Sequence, residues 1–83
     1  MEYKSFKDIG IGDCLYSCNK SINKIYRLPV TNIIKDEFTV RFYFSELPWD
    51  YISIRLEDLN FSKTDSGIFS DINLLFNYIN ENA

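Results

Sequence analysis

The sequence predicts a mainly β protein with one C-terminal helix, folded as a small, partly open antiparallel barrel of four to five strands. Three observations predict it: short segments of alternating apolar and polar residues, turn-forming residues between them, and helical spacing of apolar residues near the C-terminus. A sandwich-like α+β fold is the alternative. The chain has 83 residues, which predicts one small barrel domain over residues 1–83. Seven Phe, six Tyr and one Trp supply the large side chains that so small a core needs.

The first strand is predicted at Cys14–Cys18, after a Gly-Ile-Gly-Asp turn and before a second turn at residues 19–23. On a strand, residues four positions apart lie about 13 Å from each other, too far for a disulfide. We therefore expect two free thiols. The sequence has no histidine and no further cysteine, so the pair makes a poor zinc site. No metal site and no cofactor are predicted.

The second strand is predicted at Lys24–Lys35. Its apolar residues change face near Thr31, which predicts a bulge or bend there. Pro29 has no N–H to donate to a neighbouring strand, so it is expected at an edge or bend. Asp36 and Glu37 are predicted to form the next turn.

Residues 38–56 are predicted to form a β-hairpin that is rich in aromatic side chains, with its turn at Pro48-Trp49-Asp50. Because side chains on a strand alternate between two faces, the segment separates into an interior and an exterior set. The interior set is Phe38, Val40, Phe42, Phe44, Ile52, Ile54 and Leu56. The exterior set is Thr39, Arg41, Tyr43, Tyr51, Ser53 and Arg55. The exterior set is the place to look for a binding function.

A few pairings of the hairpin keep its interior residues on one face, and two of them differ in the residue that lies opposite Arg41. If Phe44 lies opposite Ile52, Arg41 lies opposite Arg55, and like charges directly opposite are destabilising. If Phe44 lies opposite Ile54, Arg41 meets Glu57 instead. The second register is therefore expected, unless an anion lies between the two arginines.

The C-terminal part begins with a polar connection in which Leu59 and Phe61 are the candidates for burial, and Ile68-Phe69 is a brief last strand. A closing helix is predicted near residues 70–81, with Ser70 as its N-cap. Its apolar stripe is Ile72, Leu75, Phe76 and Ile79. So short a helix is unstable alone in water, so it is expected to dock over an open end of the barrel.

Four segments in this order resemble small SH3-like barrel proteins of unknown function found in phage and prophage genomes. The segments are Gly12-Asp-Cys-Leu-Tyr16, Tyr26-Arg-Leu-Pro-Val-Thr-Asn-Ile33, Ile54-Arg-Leu-Glu-Asp-Leu59 and Ile68-Phe-Ser-Asp71. In those proteins a Gly-Asp-x-Val-Tyr strand opens the barrel, and a Phe-x-Thr/Ser strand runs into the closing helix. This chain departs by the cysteines of its first strand and by its aromatic hairpin. The resemblance implies an SH3-like fold and a phage or prophage setting, and it implies no activity.

The function predicted is a non-enzymatic protein-binding module with an anti-defence or accessory role. Tyr, Trp and Arg are the residue types enriched at interface hot spots. The candidate binding residues are Arg41, Tyr43, Trp49, Tyr51 and Arg55. The partner is another protein or a second copy of the chain. The competing interpretation is that the terminal helix or the amino-terminal arm covers these rings as ordinary core.

Binding of single-stranded nucleic acid is the alternative function. Bases would stack on Tyr43, Trp49 and Tyr51, with Arg41, Arg55 and Lys63 on phosphates. The net charge of −3 weighs against it, because nucleic-acid-binding domains usually carry a basic stripe.

No catalytic residues and no small-molecule substrate are predicted. Histidine, the usual general base near neutral pH, is missing from the sequence. The paired carboxylates Asp36-Glu37 and Glu57-Asp58 would point to opposite faces of a strand, so neither makes an acid/base pair. The charged amino end differs from a signal peptide, and no segment reaches membrane-spanning length. We expect a cytoplasmic protein, in a bacterium or a phage-infected cell.

Overall fold

The computed structural model describes residues 3–19, 21–22, 24–45 and 50–81. Five antiparallel strands form a curled half-barrel with one C-terminal helix, which confirms the predicted fold class. The strands are β1 (Cys14–Asn19), β2 (Lys24–Lys35), β3 (Thr39–Phe44), β4 (Tyr51–Arg55) and β5 (Ile68–Phe69), and the helix is α1 (Ile72–Glu81). Short 3₁₀ turns lie at Phe6–Asp8 and Leu56–Asp58. The order of strands across the sheet is β4-β3-β2-β1-β5.

The long strand β2 lets one sheet curl into a half-barrel, because it pairs with β1 along its first half and with β3 along its second. The register shifts between Val30 and Asn32, which confirms the bulge predicted near Thr31. A bulge bends its strand and increases the local twist. Pro29 lies beside this bend, opposite Cys14 at the end of β1.

The core fills the inside of the half-barrel. Its buried members are Phe6, Ile9, Leu15, Leu28, Val30, Val40, Phe42, Phe44, Ile54 and Ile68. The 3₁₀ turn at Phe6–Asp8 is tied to the segment that follows β4, because Phe6 N–H donates to the Phe61 carbonyl at 3.0 Å and Lys7 N–H to the Leu59 carbonyl at 2.9 Å. The amino-terminal segment therefore contributes its own apolar side chains to the core.

The predicted interior set of the hairpin is correct except at Phe38. Ile52 and Leu56 are partly buried and pack against the core, whereas Phe38 is 73% exposed. The prediction was wrong because Phe38 lies in the turn before β3, where the alternation of strand side chains does not apply. The burial expected of Phe61 was also wrong, since its side chain is exposed, while Leu59 packs against the core.

The turn before β3 is built around Asp36. Its carboxylate accepts the N–H groups of Phe38 at 2.9 Å and Thr39 at 2.8 Å, and the Thr39 hydroxyl at 3.0 Å. These hydrogen bonds, that of Phe38 first, hold the pKa of Asp36 below its ordinary value. The turn that exposes Phe38 is thus held by a carboxylate that is stabilised in its charged form.

The stability contributed by Asp36 is expected to depend on pH. Its folded pKa lies below the unfolded value of about 3.9, so this contribution is fully present above that pH and is lost as the pH falls through the folded pKa. Asparagine keeps an acceptor but cannot ionise. Urea unfolding should therefore show wild type more stable than Asp36→Asn at neutral pH, with the difference shrinking in acid. A difference that stays constant with pH would contradict this role.

The helix packs on the outer face of β1 and β5. Ile68 belongs to the barrel core, so its neighbour Phe69 points to the opposite face, where its ring centroid lies 5.4 Å from that of Tyr78. Leu75 is fully buried in this second layer. The prediction that the helix would close an open end of the barrel was therefore wrong.

The predicted bounds of the helix, residues 70–81, enclose the observed Ile72–Glu81, but two details were wrong. Asp71 is the N-cap instead of Ser70, because its carboxylate accepts the N–H of Asn73 at 2.8 Å. The Ser70 hydroxyl donates instead to the carbonyls of Lys4 and Ser62. Of the predicted apolar stripe, Phe76 is 47% exposed. The buried face of the helix is centred on Leu75. Phe76 follows it and is turned by about 100° around the helix axis, so its side chain points toward solvent.

Candidate functional site

The register of the β3–β4 hairpin sets the geometry of the candidate site. Tyr43 lies opposite Tyr51, Arg41 opposite Ser53 and Thr39 opposite Arg55. Both registers considered from the sequence were therefore wrong, and Arg41 faces neither Arg55 nor Glu57. The pairing is closed by hydrogen bonds from Phe44 N–H to the Asp50 carbonyl at 2.9 Å and from Leu56 N–H to the Phe38 carbonyl at 3.0 Å. This register keeps the interior residues together and separates the two arginines.

Tyr43 and Tyr51 form a stacked pair on the outer face of the hairpin. Since Phe44 and Asp50 are a hydrogen-bonded pair, the adjacent Tyr43 and Tyr51 are a non-hydrogen-bonded pair, in which side chains approach most closely. Their ring centroids are 5.3 Å apart, and the ring planes are tilted by 36°. Such a contact contributes about 0.5–1.5 kcal/mol beyond the burial of area. The two rings therefore hold each other in place before any partner arrives.

Arg41 completes this arrangement. Its guanidinium carbon lies 5.6 Å from the centroid of the Tyr51 ring, within the range of a cation–π interaction. A hydrogen bond with the Tyr43 side chain raises the pKa of Arg41 above its ordinary value, so the side chain is charged at any physiological pH. The positive charge is thus fixed beside two aromatic rings.

Ile34 of β2 is a member of the site that the sequence did not predict. It lies directly opposite Arg41 in the β2–β3 pairing, and its side chain is exposed. Ile33 and Ile34 both follow the bulge. Ile33 packs against the core, whereas Ile34 points outward and places an apolar side chain on the outer face. We call Ile34, Arg41, Tyr43 and Tyr51 the outer cluster.

Arg55 shares the outer face but is engaged elsewhere. Its Nη1 lies 3.2 Å from Glu57 Oε1, and its Nε lies 3.2 Å from Asp58 Oδ2. The acidic residues that follow β4 therefore offset its charge. Among the described residues Arg41 has no carboxylate within ion-pairing distance, so its charge is open to an external acidic group.

The described parts of the chain do not cover the outer cluster. The helix packs on β1 and β5, at the opposite end of the strand order from β3 and β4. The amino-terminal arm is held near the helix, where Lys4 N–H donates to Asp71 Oδ2 at 2.9 Å. The interpretation of these rings as core beneath the helix or the arm is therefore wrong.

Two predicted residues are not part of the described cluster. Trp49 lies outside the described residues. Lys63, assigned to phosphates in the nucleic-acid alternative, has its Nζ 4.7 Å from the Tyr78 ring centroid and 5.9 Å from that of Phe69. It thus lies against the layer between β5 and the helix, far along the sheet from the arginines of β3 and β4.

Hollows lined by described residues also lie outside the outer cluster. One, of 190 Å³, is bordered by Lys4, Asp13, Cys14 and Asp71 among others. There, a hydrogen bond from Gly10 N–H and the Lys4 ammonium at 3.1 Å lower the pKa of Asp13. Another, of 420 Å³, lies at the end of β4 and is lined by Phe38, Thr39, Arg55, Leu56 and two glutamates.

The described ranges hold neither a cluster of metal ligands nor a membrane-spanning helix. Cys14 and Cys18 are free thiols, and no group of three or more Cys, Asp or Glu side chains is gathered there in a way that could hold a metal ion. Over the same residues, no helix has the length and apolar character needed to cross a membrane.

Comparison of the chain with models of protein families, with curated protein sequences and with solved structures gave no match in any of the three. The resemblance to phage and prophage proteins therefore stays a prediction. What defines the site is its geometry: a curled five-stranded half-barrel that presents a stacked Tyr-Tyr-Arg group on an open face.

Proposed function

We propose that this chain is a non-enzymatic protein-binding module, and that the outer cluster is the centre of its binding face. The observation that carries the proposal is the stacked pair of Tyr43 and Tyr51 with Arg41 over it, on a face that no described element covers. Arg55 belongs to the proposed face as its margin, and Trp49, which lies outside the described residues, is included from the sequence alone. An anti-defence or accessory role in a phage or prophage is part of the proposal, and it is supported by the resemblance alone.

Rigidity of the outer cluster supports this function. Binding loses affinity when flexible side chains must be ordered, and a side chain that is already fixed avoids that cost. Tyr51 is 46% exposed yet is held by Tyr43 on one side and Arg41 on the other. Exposed, pre-ordered aromatic and arginine side chains are the kind that act as anchors in protein interfaces.

The chemistry of the cluster indicates the kind of partner surface. Arg41 offers a fixed positive charge, while Ile34 and the tyrosine rings offer apolar contact beside it. A complementary surface would place a carboxylate near Arg41 and an apolar or aromatic side chain against Tyr51. The partner expected is therefore a folded protein or peptide with an acidic residue next to an apolar one.

The distribution of charge favours a protein over single-stranded nucleic acid. Arg55 is paired with two carboxylates, and Lys63 lies against the helix layer. Asp36, whose pKa is lowered, adds a persistent negative charge at the end of β3. A phosphate backbone needs a run of unpaired cations, whereas two of the three cations assigned to phosphates, Arg55 and Lys63, are engaged elsewhere in the described part of the chain.

Alanine substitution of both tyrosines is expected to abolish partner binding. Wild type, Tyr43→Ala/Tyr51→Ala and Phe76→Ala would each be immobilised and used to capture proteins from bacterial cytosol, with and without nuclease treatment. Phe76 is a matched control because it is 47% exposed, like Tyr51, but lies on the helix. Proteins retained by wild type and Phe76→Ala but lost from the double variant would support the proposal.

Two outcomes of the capture would contradict the proposal. If the double variant retains the same proteins in the same amounts, the outer cluster is not the binding site. If the retained material disappears with nuclease and its binding falls steeply as salt rises, the ligand is nucleic acid, because phosphate contacts release counterions and aromatic protein contacts do not.

A further inference from the structure

The free edge of β4 presents unpaired backbone groups, and of the outer cluster it shares only Tyr51. β4 is the last strand in the order across the sheet, and β3 is its neighbour. Along an antiparallel strand, residues whose backbone hydrogen-bonds to the neighbouring strand alternate with residues whose backbone points away from it. Asp50 and Leu56 hydrogen-bond to the chain on the β3 side. The N–H and C=O groups of Tyr51, Ser53 and Arg55 therefore point away from β3.

Within the residues that the structure describes, this edge lacks the features that usually prevent strands from pairing between molecules. Proteins protect edges with lysine, proline, bulges or covering segments. The five residues of β4, Tyr-Ile-Ser-Ile-Arg, contain no lysine and no proline, and their pairing with β3 is regular throughout. Ser53, at the centre, is exposed, small and uncharged. The charge of Arg55 is offset by Glu57 and Asp58.

We propose that β4 pairs in antiparallel fashion with β4 of a second copy of the chain, with the two-fold axis at Ser53. The strand is self-complementary in this register. Ser53 meets the second copy's Ser53, Ile52 meets the second copy's Ile54, and Tyr51 meets the second copy's Arg55. The isoleucines pair on the inner face and the Tyr–Arg contact forms on the outer face, where a cation–π interaction is favourable.

The register centred on Ser53 is favoured over its alternatives. It pairs all five residues of β4, whereas a shift by two residues leaves part of each strand without a partner. A shift by one residue places isoleucines against the polar side chains of the other face. The central register also sets no like charges directly opposite each other. The sequence of the strand thus points to a second copy as the occupant of its edge.

The resulting dimer has one continuous sheet in which two outer clusters lie side by side. An edge of five residues is short compared with a standard interface, so self-association is weak and increases with concentration. This inference does not depend on the outer cluster binding a separate partner. The dimer uses the backbone edge and the contact of Tyr51 with the second copy's Arg55, so the two proposals share Tyr51. They are distinguished at Ser53, which is not part of the outer cluster.

A charge-swap experiment at Ser53 tests the dimer. Sedimentation equilibrium over a concentration series would compare wild type with Ser53→Lys, Ser53→Glu and an equimolar mixture of the two variants. Residue 53 of one copy lies opposite residue 53 of the other, so each variant alone places two like charges together. Its self-association should be weaker than that of wild type by a factor of about ten or more. The mixture places lysine opposite glutamate and should recover association. Asn80→Lys and Asn80→Glu, at an exposed helix position, should behave as wild type alone and mixed.

Several results would overturn this inference. One is a wild type that stays monomeric over the whole concentration range. Another is a Ser53→Lys variant that dimerises as wild type does, or a mixture that recovers nothing. If wild type is monomeric, capture of a different protein that Ser53→Pro abolishes would also overturn it, because the edge that loses the outward N–H of residue 53 would then belong to another partner. A monomeric Ser53→Lys variant that still captures the partner of the outer cluster separates the two proposals.

Discussion

Replacement of Phe42 by alanine is expected to lower the free energy of unfolding by about 3–5 kcal/mol. Phe42 lies in the middle of β3, is 1% exposed, and is paired with Ile33 on one side and Ile52 on the other. Removing its ring leaves a cavity at the centre of the curled sheet. Small domains have about 5–15 kcal/mol of stability in total, so a large fraction of the variant should be unfolded.

Phe38→Ala is the matched control for Phe42→Ala. In the sequence, both residues belong to the alternating apolar positions of the segment 38–56. In the structure Phe38 lies in the turn before β3 and is 73% exposed. Its replacement should change stability by about 0.5 kcal/mol or less. Urea unfolding followed by circular dichroism measures both variants. Similar losses for Phe38 and Phe42 would contradict the position of the turn at Asp36.

Replacement of Leu75 by alanine is expected to cost about 2–5 kcal/mol and to release the helix from the sheet. Leu75 is fully buried between the helix and the β1–β5 face. A helix of ten residues has little stability of its own, so its helical signal depends on this packing. The loss of helical signal should appear in the far-ultraviolet circular dichroism at about 222 nm, at temperatures where wild type is still folded.

Phe76→Ala provides the comparison for Leu75→Ala. The neighbouring side chain is 47% exposed, so its loss should cost about 1 kcal/mol or less. If Phe76→Ala destabilises the protein as much as Leu75→Ala, the helix is rotated from the orientation described. This comparison also tests whether Phe76→Ala is a suitable control for binding experiments.

Period-two and helical patterns in the sequence predict much of the fold, because they report which residues share a face. The bulge near Thr31 and the location of the helix follow from changes in these patterns. Alternation does not fix how far one strand slides along the next. The register of the hairpin is set by the closing hydrogen bonds at Phe44 and Leu56, which the pattern does not contain. The rotation of the helix likewise depends on the face of β1 and β5 on which it packs.

The candidate site was predicted in part for the same reason. Arg41, Tyr43 and Tyr51 were placed on the outer face by alternation, and the structure brings them into contact. The direct stacking of the tyrosines depends on the register. Ile34 joins them only because of the bulge in β2. The partner expected for Arg41, Glu57, pairs instead with Arg55.

The affinity of a purified captured partner for Tyr51→Ala tests the proposed binding face most directly. Isothermal titration calorimetry would compare wild type, Tyr51→Ala and the equally exposed control Phe76→Ala. If the outer cluster is the binding site, Tyr51→Ala should bind about 30-fold more weakly, the effect of losing about 2 kcal/mol at a hot spot. Phe76→Ala should bind as wild type does. Equal affinities for Tyr51→Ala and wild type would contradict the proposal.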